Sequence, residues 1–219
     1  MTTEIAGRKV YIEGSGGPLV ILGIFKGEEY AGEVYREVKN ILPDGVFTLA
    51  AFETADWDRD FSPWEAPGVM PGESFEGSGK ETLSWVKSAL ENELRPYITD
   101  KIYIAGYSLA GLFALWSLYE SDLFDGGACC SASLWFSGWD SFSKTHSLKK
   151  PGKVYLSLGG KEEKSSNPVL ATIGTATKQQ ETLLNDDKNI INHKYELNPG
   201  GHFANSTKRL AKGIAWLIG

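Results

Sequence analysis

The fold of this chain is decided by the stretch Lys101-Ile102-Tyr103-Ile104-Ala105-Gly106-Tyr107-Ser108-Leu109-Ala110-Gly111-Leu112. Its first half is a short apolar run with β-branched residues, which is typical of a strand buried inside a sheet. From Leu112 to Tyr119 the chain is apolar at helical spacing. The stretch therefore predicts a buried strand, a tight turn and a helix, with Ser108 at the apex of the turn.

Small residues flank Ser108 at a distance of two positions on either side. Gly106 precedes it and Ala110 follows it, where the usual pattern G-x-S-x-G has a second glycine, and Gly111 comes one place later. A serine at a sharp strand-to-helix turn takes strained backbone angles, and its neighbours approach the crossing backbone. The pattern is typical of an exposed nucleophile, although an ordinary βαβ turn can also be built from these residues.

The same turn places Ser108 at a helix N-terminus, where free backbone N–H groups and the positive end of the helix dipole favour an anion. We expect the N–H of Leu109 to be the first donor to an oxyanion that forms at Ser108. A second donor is expected in the loop after the strand 19–25, from the backbone N–H of Phe25 or Lys26.

Length and composition predict one soluble domain spanning residues 1–219, with 42% hydrophobic and 23% charged residues. The net charge of −6 argues against nucleic acid or an anionic membrane as a partner. No apolar run approaches the ~20 residues that a membrane span needs. Residues 1–8 lack the apolar core of a signal peptide, so we expect a cytoplasmic protein. The sequence gives no indication of oligomeric state.

The two cysteines, Cys129 and Cys130, are adjacent and lie in an apolar segment. Adjacent side chains on a strand point to opposite faces, so we expect two buried thiols and no mutual disulfide. No Cys/His spacing suggests zinc. We therefore expect neither a metal nor another cofactor.

Strands and helices alternate along the chain. The predicted strands are 9–13, 19–25, 46–52, 101–105, 126–132, 153–158 and 191–197, and the predicted helices are 30–42, 79–94, 112–119, 142–148, 168–184 and 203–218. This alternation predicts a three-layer α/β/α sandwich with a mostly parallel sheet and no large lid domain. A short Gly-rich turn joins the first two strands, which we expect to form an antiparallel hairpin.

The segment 54–78 is rich in Trp, Asp, Pro and Gly and predicts no regular element. A long irregular loop with aromatic residues is packed, either over a pocket or simply over core. Trp57 and Trp64 in this segment, together with Trp135 and Trp139 further along, are expected in loops at the site, with Tyr107 beside them. These aromatic residues either stack on a ring of a substrate or serve only packing.

Ser108, Glu162 and His202 each follow the C-terminal end of a predicted parallel strand, on the edge where sites form. A serine hydroxyl needs a base within hydrogen-bond reach, and an imidazole held by a carboxylate supplies one. The order nucleophile, acid, base matches the α/β-hydrolases and differs from the chymotrypsin and subtilisin orders. We therefore predict Ser108, His202 and Glu162 as the catalytic residues.

The acid is the least determined of the three. Glu163 adjoins Glu162 in a charged run and is the second candidate, Asp140 is the third, and a Ser–His pair without an acid also remains open. His193, inside the last predicted strand, and His146, in a polar segment, are less well placed than His202 for the role of base.

Several motifs together resemble the esterase-D and enterobactin-esterase branch of the α/β-hydrolases. They are Gly106-Tyr107-Ser108-Leu109-Ala110-Gly111, Gly159-Gly160-Lys161-Glu162-Glu163, Gly200-Gly201-His202, the segment 57–64 and Phe75-Glu76-Gly77-Ser78-Gly79. The resemblance covers most of the chain and implies a small serine esterase without a lid. It maps the nucleophile onto Ser108, the base onto His202 and the acid onto Glu162.

The residues and the resemblance together predict a serine carboxylic-ester hydrolase that acts on a small or medium acyl ester through an acyl-enzyme. The alternatives are an acyltransferase with the same residues and a non-catalytic ligand-binding protein on the same fold. The expected partner is a small-molecule ester. An acylated sugar, an aromatic ester and a siderophore-like ester all fit, whereas no cluster of basic residues favours a phosphorylated substrate.

Overall fold

A computed structural model describes residues 1–25 and 27–219. Ten strands are found among these residues. In chain order they are β1 Thr2–Ile5, β2 Arg8–Gly14, β3 Leu19–Ile24, β4 Thr48–Glu53, β5 Glu65–Pro67, β6 Ser74–Glu76, β7 Ile102–Tyr107, β8 Gly126–Cys130, β9 Gly152–Gly159 and β10 Ile190–Asn198. Strands β5 and β6 form a separate two-stranded hairpin, and the other strands form one central sheet.

The helices alternate with the strands of the central sheet. They are α1 Glu28–Ile41, α2 Trp57–Phe61, α3 Gly79–Glu91, α4 Leu109–Glu120, α5 Trp139–Thr145, α6 Ile173–Asp186 and α7 Ser206–Ile218, with 3-10 turns at Arg95–Tyr97, Glu162–Lys164 and Leu170–Thr172. Helices α1 and α7 pack on one face of the sheet, and helices α3, α4 and α6 contribute to the core on the other face. This arrangement confirms the predicted three-layer α/β/α sandwich.

The strand order in the central sheet is β1-β2-β4-β3-β7-β8-β9-β10. The pairs from β4 through β10 are all parallel, and β2 runs antiparallel to both of its neighbours, β1 and β4. The carboxyl ends of β7, β8, β9 and β10 therefore lie next to one another at one edge of the sheet.

The expected hairpin of the first two predicted strands is wrong, because β2 pairs with β4 and not with β3. Every residue of β3 is buried, whereas β2 is exposed at both ends. A strand that is apolar throughout is stable only with partners on both sides, so β3 lies between β4 and β7. Strand β1, which the sequence analysis did not predict, extends the antiparallel end of the sheet.

Helix α4 is the most buried of the described helices, with every residue from Leu109 to Tyr119 buried. It packs against β7 and β8 and is covered on its outer side by α2. A helix that is apolar all round needs this kind of enclosure. The helix that follows Ser108 is thereby held rigidly in the core.

The segment 54–78 is more regular than predicted, because it contains α2 and the β5–β6 hairpin. The side chain of Asp56 accepts a hydrogen bond from the N–H of Arg59 and begins α2. Phe61 and Phe75 carry the segment into the main hydrophobic core. This cover of α4 is therefore a packed part of the fold, and the described residues contain no larger inserted lid.

Cys129 and Cys130 are both buried in β8 and unbonded to each other, as expected. Within residues 1–25 and 27–219, none of the helices combines the length and the apolar character that crossing a membrane requires.

The turn between β7 and α4 leaves no room for a side chain at Gly106. A Cβ at this position would overlap the carbonyl group of Ala110, and a Cβ at Gly111 would lie 2.9 Å from the carbonyl oxygen of Cys130. Ser108 itself has φ 60° and ψ −124°, in a region that a residue with a side chain rarely adopts. The predicted strand, tight turn and helix are therefore confirmed, and close backbone approach explains why small residues flank the serine.

We expect Gly106→Ala to lower the free energy of unfolding by roughly 1–3 kcal/mol, because the clash is with backbone and cannot be relieved by a rotamer change. Gly160→Ala is the control, since a Cβ there would meet nothing closer than 3.6 Å. Urea unfolding followed by circular dichroism measures both variants. Equal stability of the two would contradict this explanation of the turn.

Candidate active site

Ser108 and His202 meet at the carboxyl edge of the sheet. Ser108 lies between β7 and α4, and His202 lies in the turn between β10 and α7. The His202 Nε2 atom is 3.0 Å from the Ser108 Oγ atom, which is hydrogen-bonding distance. The base and nucleophile that the sequence predicts are therefore in contact.

Glu162 lies in the 3-10 turn that follows β9, on the far side of the imidazole from Ser108. Its Oε2 atom is 2.7 Å from the His202 Nδ1 atom. Glu163 is exposed, and Asp140 forms an exposed ion pair with Lys144, so neither contacts His202. Of the candidate acids that the sequence left open, the structure brings Glu162 together with Ser108 and His202.

The other two histidines lie apart from this group. His146 stacks on the ring of Phe142, with the ring centroids 4.0 Å apart. His193 is within β10, where it is half-buried. Each is accounted for by its local packing.

The second oxygen of Glu162, Oε1, is held by three donors. The Ser131 hydroxyl donates over 2.7 Å, the Gly159 backbone N–H over 2.6 Å and the Arg209 Nη2 atom over 2.9 Å. The Glu162 side chain is only 4% exposed. With Oε1 fixed in this way, Oε2 is the oxygen presented to His202.

These contacts decide the charge of Glu162. Burial by itself raises the pKa of the carboxyl group, but the hydrogen bonds from His202, Arg209, Ser131 and the Gly159 N–H outweigh it and lower the pKa to about 2. Glu162 is therefore a carboxylate at neutral pH and remains one in mild acid. A carboxylate in this position fixes the imidazole orientation and stabilises its protonated form.

Backbone contacts hold the serine turn against the end of β8. The Ser108 N–H donates to the Cys130 carbonyl over 3.0 Å, and the Ser133 N–H donates to the Ser108 carbonyl over 3.1 Å. Ser131, between these two, also has a positive φ, of 41°. The strained Ser108 is thus held by main-chain hydrogen bonds to the residues on either side of Ser131, and the Ser131 N–H itself donates to the Ser157 carbonyl over 2.8 Å.

Tyr107 stabilises the turn that contains His202. Its hydroxyl donates to the backbone carbonyl of His202 over 2.6 Å, and burial raises the pKa of the phenol to about 12. Tyr107 was expected in the substrate pocket, but it is buried and is not among the residues that line the cavity. Its contact fixes the turn that carries His202.

A cavity of about 500 Å³ opens beside Ser108 and His202. Its apolar wall comprises Trp57, Val69, Phe75, Leu109, Trp135, Leu170, Ile173 and Phe203. Besides Glu162, the charged side chains at its wall are Asp58, Glu73, Lys161 and Lys164. A volume of this size accommodates a small organic molecule. Trp57 and Trp135 thus have the position that the sequence predicted for them.

Trp64 does not line this cavity. Its indole N–H donates to the Ser137 carbonyl over 2.9 Å, and its ring packs against Phe136 and Phe142. Trp139 is fully buried, whereas Trp64 is half-buried, and the indole N–H of Trp139 donates to Gln180 over 3.0 Å. For these two residues the packing alternative is the correct one, because their indole N–H groups are satisfied inside the protein.

The expected oxyanion donors lie at the same edge. Leu109 is the first residue of α4, so its N–H has no intrahelical acceptor, and the residue lines the cavity. Phe25 directly follows β3, the parallel neighbour of β7, and its ring lies 6.3 Å from that of Trp57. Lys26, the other candidate, lies outside the described residues.

The sequence analysis missed Arg209 and Ser131. Arg209 is 2% exposed and lies on the buried stripe of α7 with Leu210, Gly213 and Ile214. The helical spacing of the last segment places Arg209 on the side of the helix that faces the core. An arginine is buried only with a partner, so this position was the signal that could have indicated a role for Arg209.

A comparison of the sequence with models of known families gives no match, and neither does a comparison with curated proteins. Solved structures do match. The siderophore hydrolase EstA from Aspergillus nidulans has a TM-score of 0.75 and 16% identity, and the match covers 100% of this chain and 93% of that one.

An IroE-like serine hydrolase from Shewanella oneidensis matches with a TM-score of 0.78 and 17% identity, over 96% of this chain and 75% of that one. The enterobactin hydrolase IroE, in a complex with DFP, matches with a TM-score of 0.69 and 13% identity, over 100% of this chain and 94% of that one. In fold, the chain is therefore similar to esterase-like serine hydrolases, and it has the α/β-hydrolase fold that the sequence motifs indicated.

The low pKa of Glu162 predicts how stability depends on pH. Since the folded-state pKa of about 2 lies below the ordinary value of 4.5, ionised Glu162 stabilises the fold above pH 4.5, and this stabilisation is lost as the pH falls towards 2. We expect the gap in unfolding free energy between the wild type and Glu162→Gln to narrow by up to about 3 kcal/mol over that range.

Urea unfolding at several pH values between 7 and 2 measures this gap. Glu163→Gln is the matched control, because its side chain is exposed next to Glu162 and no such narrowing is expected. A gap for Glu162→Gln that stays constant with pH would contradict the assigned ionisation of the carboxyl group.

Proposed function

We propose that this protein is a serine carboxylic-ester hydrolase with Ser108 as nucleophile, His202 as general base and Glu162 as the acid of the triad. The observation that carries the proposal is the continuous line of hydrogen bonds from Glu162 through both nitrogens of His202 to the Ser108 hydroxyl, beside an open cavity. Similarity in fold to proteins named as siderophore and serine hydrolases supports it.

In the first half of the reaction, Ser108 Oγ attacks the ester carbonyl carbon while its proton passes to His202 Nε2. The new imidazolium keeps its hydrogen bond to the ionised Glu162, which stabilises it. When the tetrahedral intermediate collapses, the ester C–O bond breaks and His202 returns the proton to the leaving alcohol. The product of this half is an acyl group on Ser108.

In the second half, water replaces the alcohol. His202 takes a proton from the water as it attacks the acyl carbonyl, and then returns the proton to Ser108 Oγ as the carboxylic acid leaves. Negative charge develops on the same carbonyl oxygen in both halves. The N–H of Leu109 at the start of α4 is the donor we assign to it, with the backbone after β3 at Phe25 supplying the second.

The cavity suits an ester with an apolar or aromatic portion, because Trp57, Phe75 and Trp135 contribute to its wall. Carboxylates and ammonium groups both border the cavity, so its charge does not select strongly for an anion or a cation. Siderophore-type aromatic esters are the first substrates to test, since proteins of similar fold are named as siderophore and enterobactin hydrolases.

Labelling with a fluorophosphonate tests the nucleophile. We expect one covalent adduct per chain, mapped to Ser108, because attack by Oγ expels fluoride from phosphorus while His202 accepts the proton. Ser108→Ala should give no adduct, and His202→Ala should slow labelling by at least about a hundredfold. Intact mass and peptide mapping are the measurements.

His146→Ala is the matched control, and its labelling should equal that of the wild type, because His146 lies apart from Ser108. Folding of each variant is checked by circular dichroism. Absence of any adduct on the folded wild type between pH 6 and 9 would reject the hydrolase and favour a ligand-binding protein on this fold.

The assignment of the cavity predicts a size-dependent effect of Trp135. We expect Trp135→Ala to lower kcat/KM more for naphthyl butyrate than for ethyl acetate, because naphthyl butyrate has the larger apolar portion to lose contact with the indole. Each methylene-sized group that loses contact costs about 0.8 kcal/mol, which is roughly fourfold in kcat/KM. Trp216→Ala, on the outer helix α7, is the control and should lower neither rate. An equal loss of kcat/KM for both esters in Trp135→Ala would show that Trp135 does not contact the substrate.

A further inference from the structure

Arg209 connects the acid of the proposed triad to the turn that carries the base. Its Nη2 atom donates to Glu162 Oε1 over 2.9 Å and also to the Ser131 hydroxyl, and its Nη1 atom donates to the Gly201 carbonyl over 3.3 Å. Gly201 directly precedes His202. One guanidinium therefore holds both partners of the Glu162–His202 contact.

The surroundings of Arg209 fix the guanidinium in place. The Arg209 and Glu162 side chains are 2% and 4% exposed, and the guanidinium carbon lies 5.3 Å from the ring centre of Tyr107. Tyr107 in turn donates to the carbonyl of His202. The planar fork of arginine can serve three acceptors at once, which the single ammonium group of lysine cannot do in the same geometry.

A buried ion pair of this kind is a poor device for stability, because desolvation of the two charges offsets much of their attraction. Glu162 needs no arginine to stay ionised at neutral pH, since Ser131, Gly159 and His202 also donate to it. The free-energy cost of burying Arg209 is better explained by its effect on the positions of Glu162 and His202.

We propose that Arg209 is a positioning residue of the active site, which holds Glu162 and the His202 turn in place relative to each other and offsets part of the charge of the carboxylate beside the imidazole. This inference rests on the proposed function, because it concerns the geometry and charge of the same three residues.

The charge of Arg209 affects the protonation of His202 in a definite direction. The positive charge of Arg209, next to Glu162, weakens the pull of the carboxylate on a proton at His202. Without that charge the carboxylate stabilises the imidazolium more strongly, so the acid limb of the pH–rate profile is expected at higher pH. Loss of the fork also misplaces the base, which lowers the rate on the plateau on the order of tenfold or more.

Other titratable groups face Arg209, Glu162 and His202, but their titration does not account for the acid limb of the pH–rate profile. Burial raises the pKa of Tyr107 and of Cys130 to about 12, and burial also raises the pKa of Tyr155 and Tyr195. These four groups are therefore neutral between pH 5 and 9. Asp58, Glu73, Lys161 and Lys164 line the cavity, Glu163 adjoins Glu162, and Glu196 acts on Cys130 and Tyr155. All of these charges are common to all variants below.

The experiment measures the rate of fluorophosphonate labelling of Ser108 from pH 5 to 9 in the wild type, Arg209→Gln and Arg209→Lys. Arg209→Gln should show both the lower plateau and the shift of the acid limb to higher pH. Arg209→Lys keeps the charge but not the fork, so its plateau should fall while its acid limb stays near that of the wild type.

Lys208→Gln is the matched control, since it removes one positive charge from the neighbouring, exposed position of α7. Its profile should coincide with that of the wild type. Circular dichroism establishes that each variant is folded. If Arg209→Gln does not fold, the test rests on Arg209→Lys. A plateau labelling rate in Arg209→Lys equal to that of the wild type would contradict the positioning role.

The outcomes separate the two proposals. If the wild type is not labelled, the proposed function fails. If the wild type is labelled and a folded Arg209→Gln matches it in plateau and in acid limb, the function stands and the role of Arg209 is rejected. A lower plateau without any shift of the limb in Arg209→Gln would reject the charge effect.

Discussion

The site depends on the buried carboxylate of Glu162. One oxygen of this carboxylate meets His202, and the other is shared by the end of β8 through Ser131, the end of β9 through Gly159 and helix α7 through Arg209. Each of these elements reaches the site from a different part of the chain. A carboxylate that is buried costs free energy unless it is paired, so the elements are held together around it.

The parallel sheet makes this convergence possible. Ser108 and His202 are 94 positions apart in the sequence, and Glu162 and His202 are 40 apart. Since β7, β8, β9 and β10 are neighbours that all run in the same direction, their carboxyl ends meet at one edge. The strain at Ser108 is tolerated there because α4, buried on all sides, and the backbone of β8 hold the turn between them.

Local chemistry explains which parts of the structure could be predicted. The turn at Ser108 follows from the small residues around it, and the position of His202 follows from its place after a predicted strand. The same argument placed Glu162 only as the first of several candidates, because Glu163 adjoins it in a charged run. The partner of β2 could not be inferred in this way. Strand β2 pairs with β4, about 40 positions further along the chain, whereas the short turn after β2 suggests pairing with β3. The role of Arg209 could not be inferred for a similar reason, since its partners Ser131, Glu162 and Gly201 lie in the turns that follow β8, β9 and β10.

Among the aromatic residues, composition alone did not separate substrate contact from packing. Trp57 and Trp135 border the cavity, whereas the indole N–H groups of Trp64 and Trp139 are used inside the protein. The difference lies in which segment faces the carboxyl edge, and that is decided by the tertiary packing of α2, α5 and the β5–β6 hairpin.

The central claim is that Ser108 forms a covalent bond with the acyl carbon of an ester, and a p-nitrophenyl carbamate tests it directly because a carbamoyl-serine hydrolyses slowly. The account predicts one nitrophenolate released per chain and one carbamoyl group located on Ser108 by peptide mapping. Release of nitrophenolate with Ser108 unmodified, or with the carbamoyl group on another residue, would contradict it.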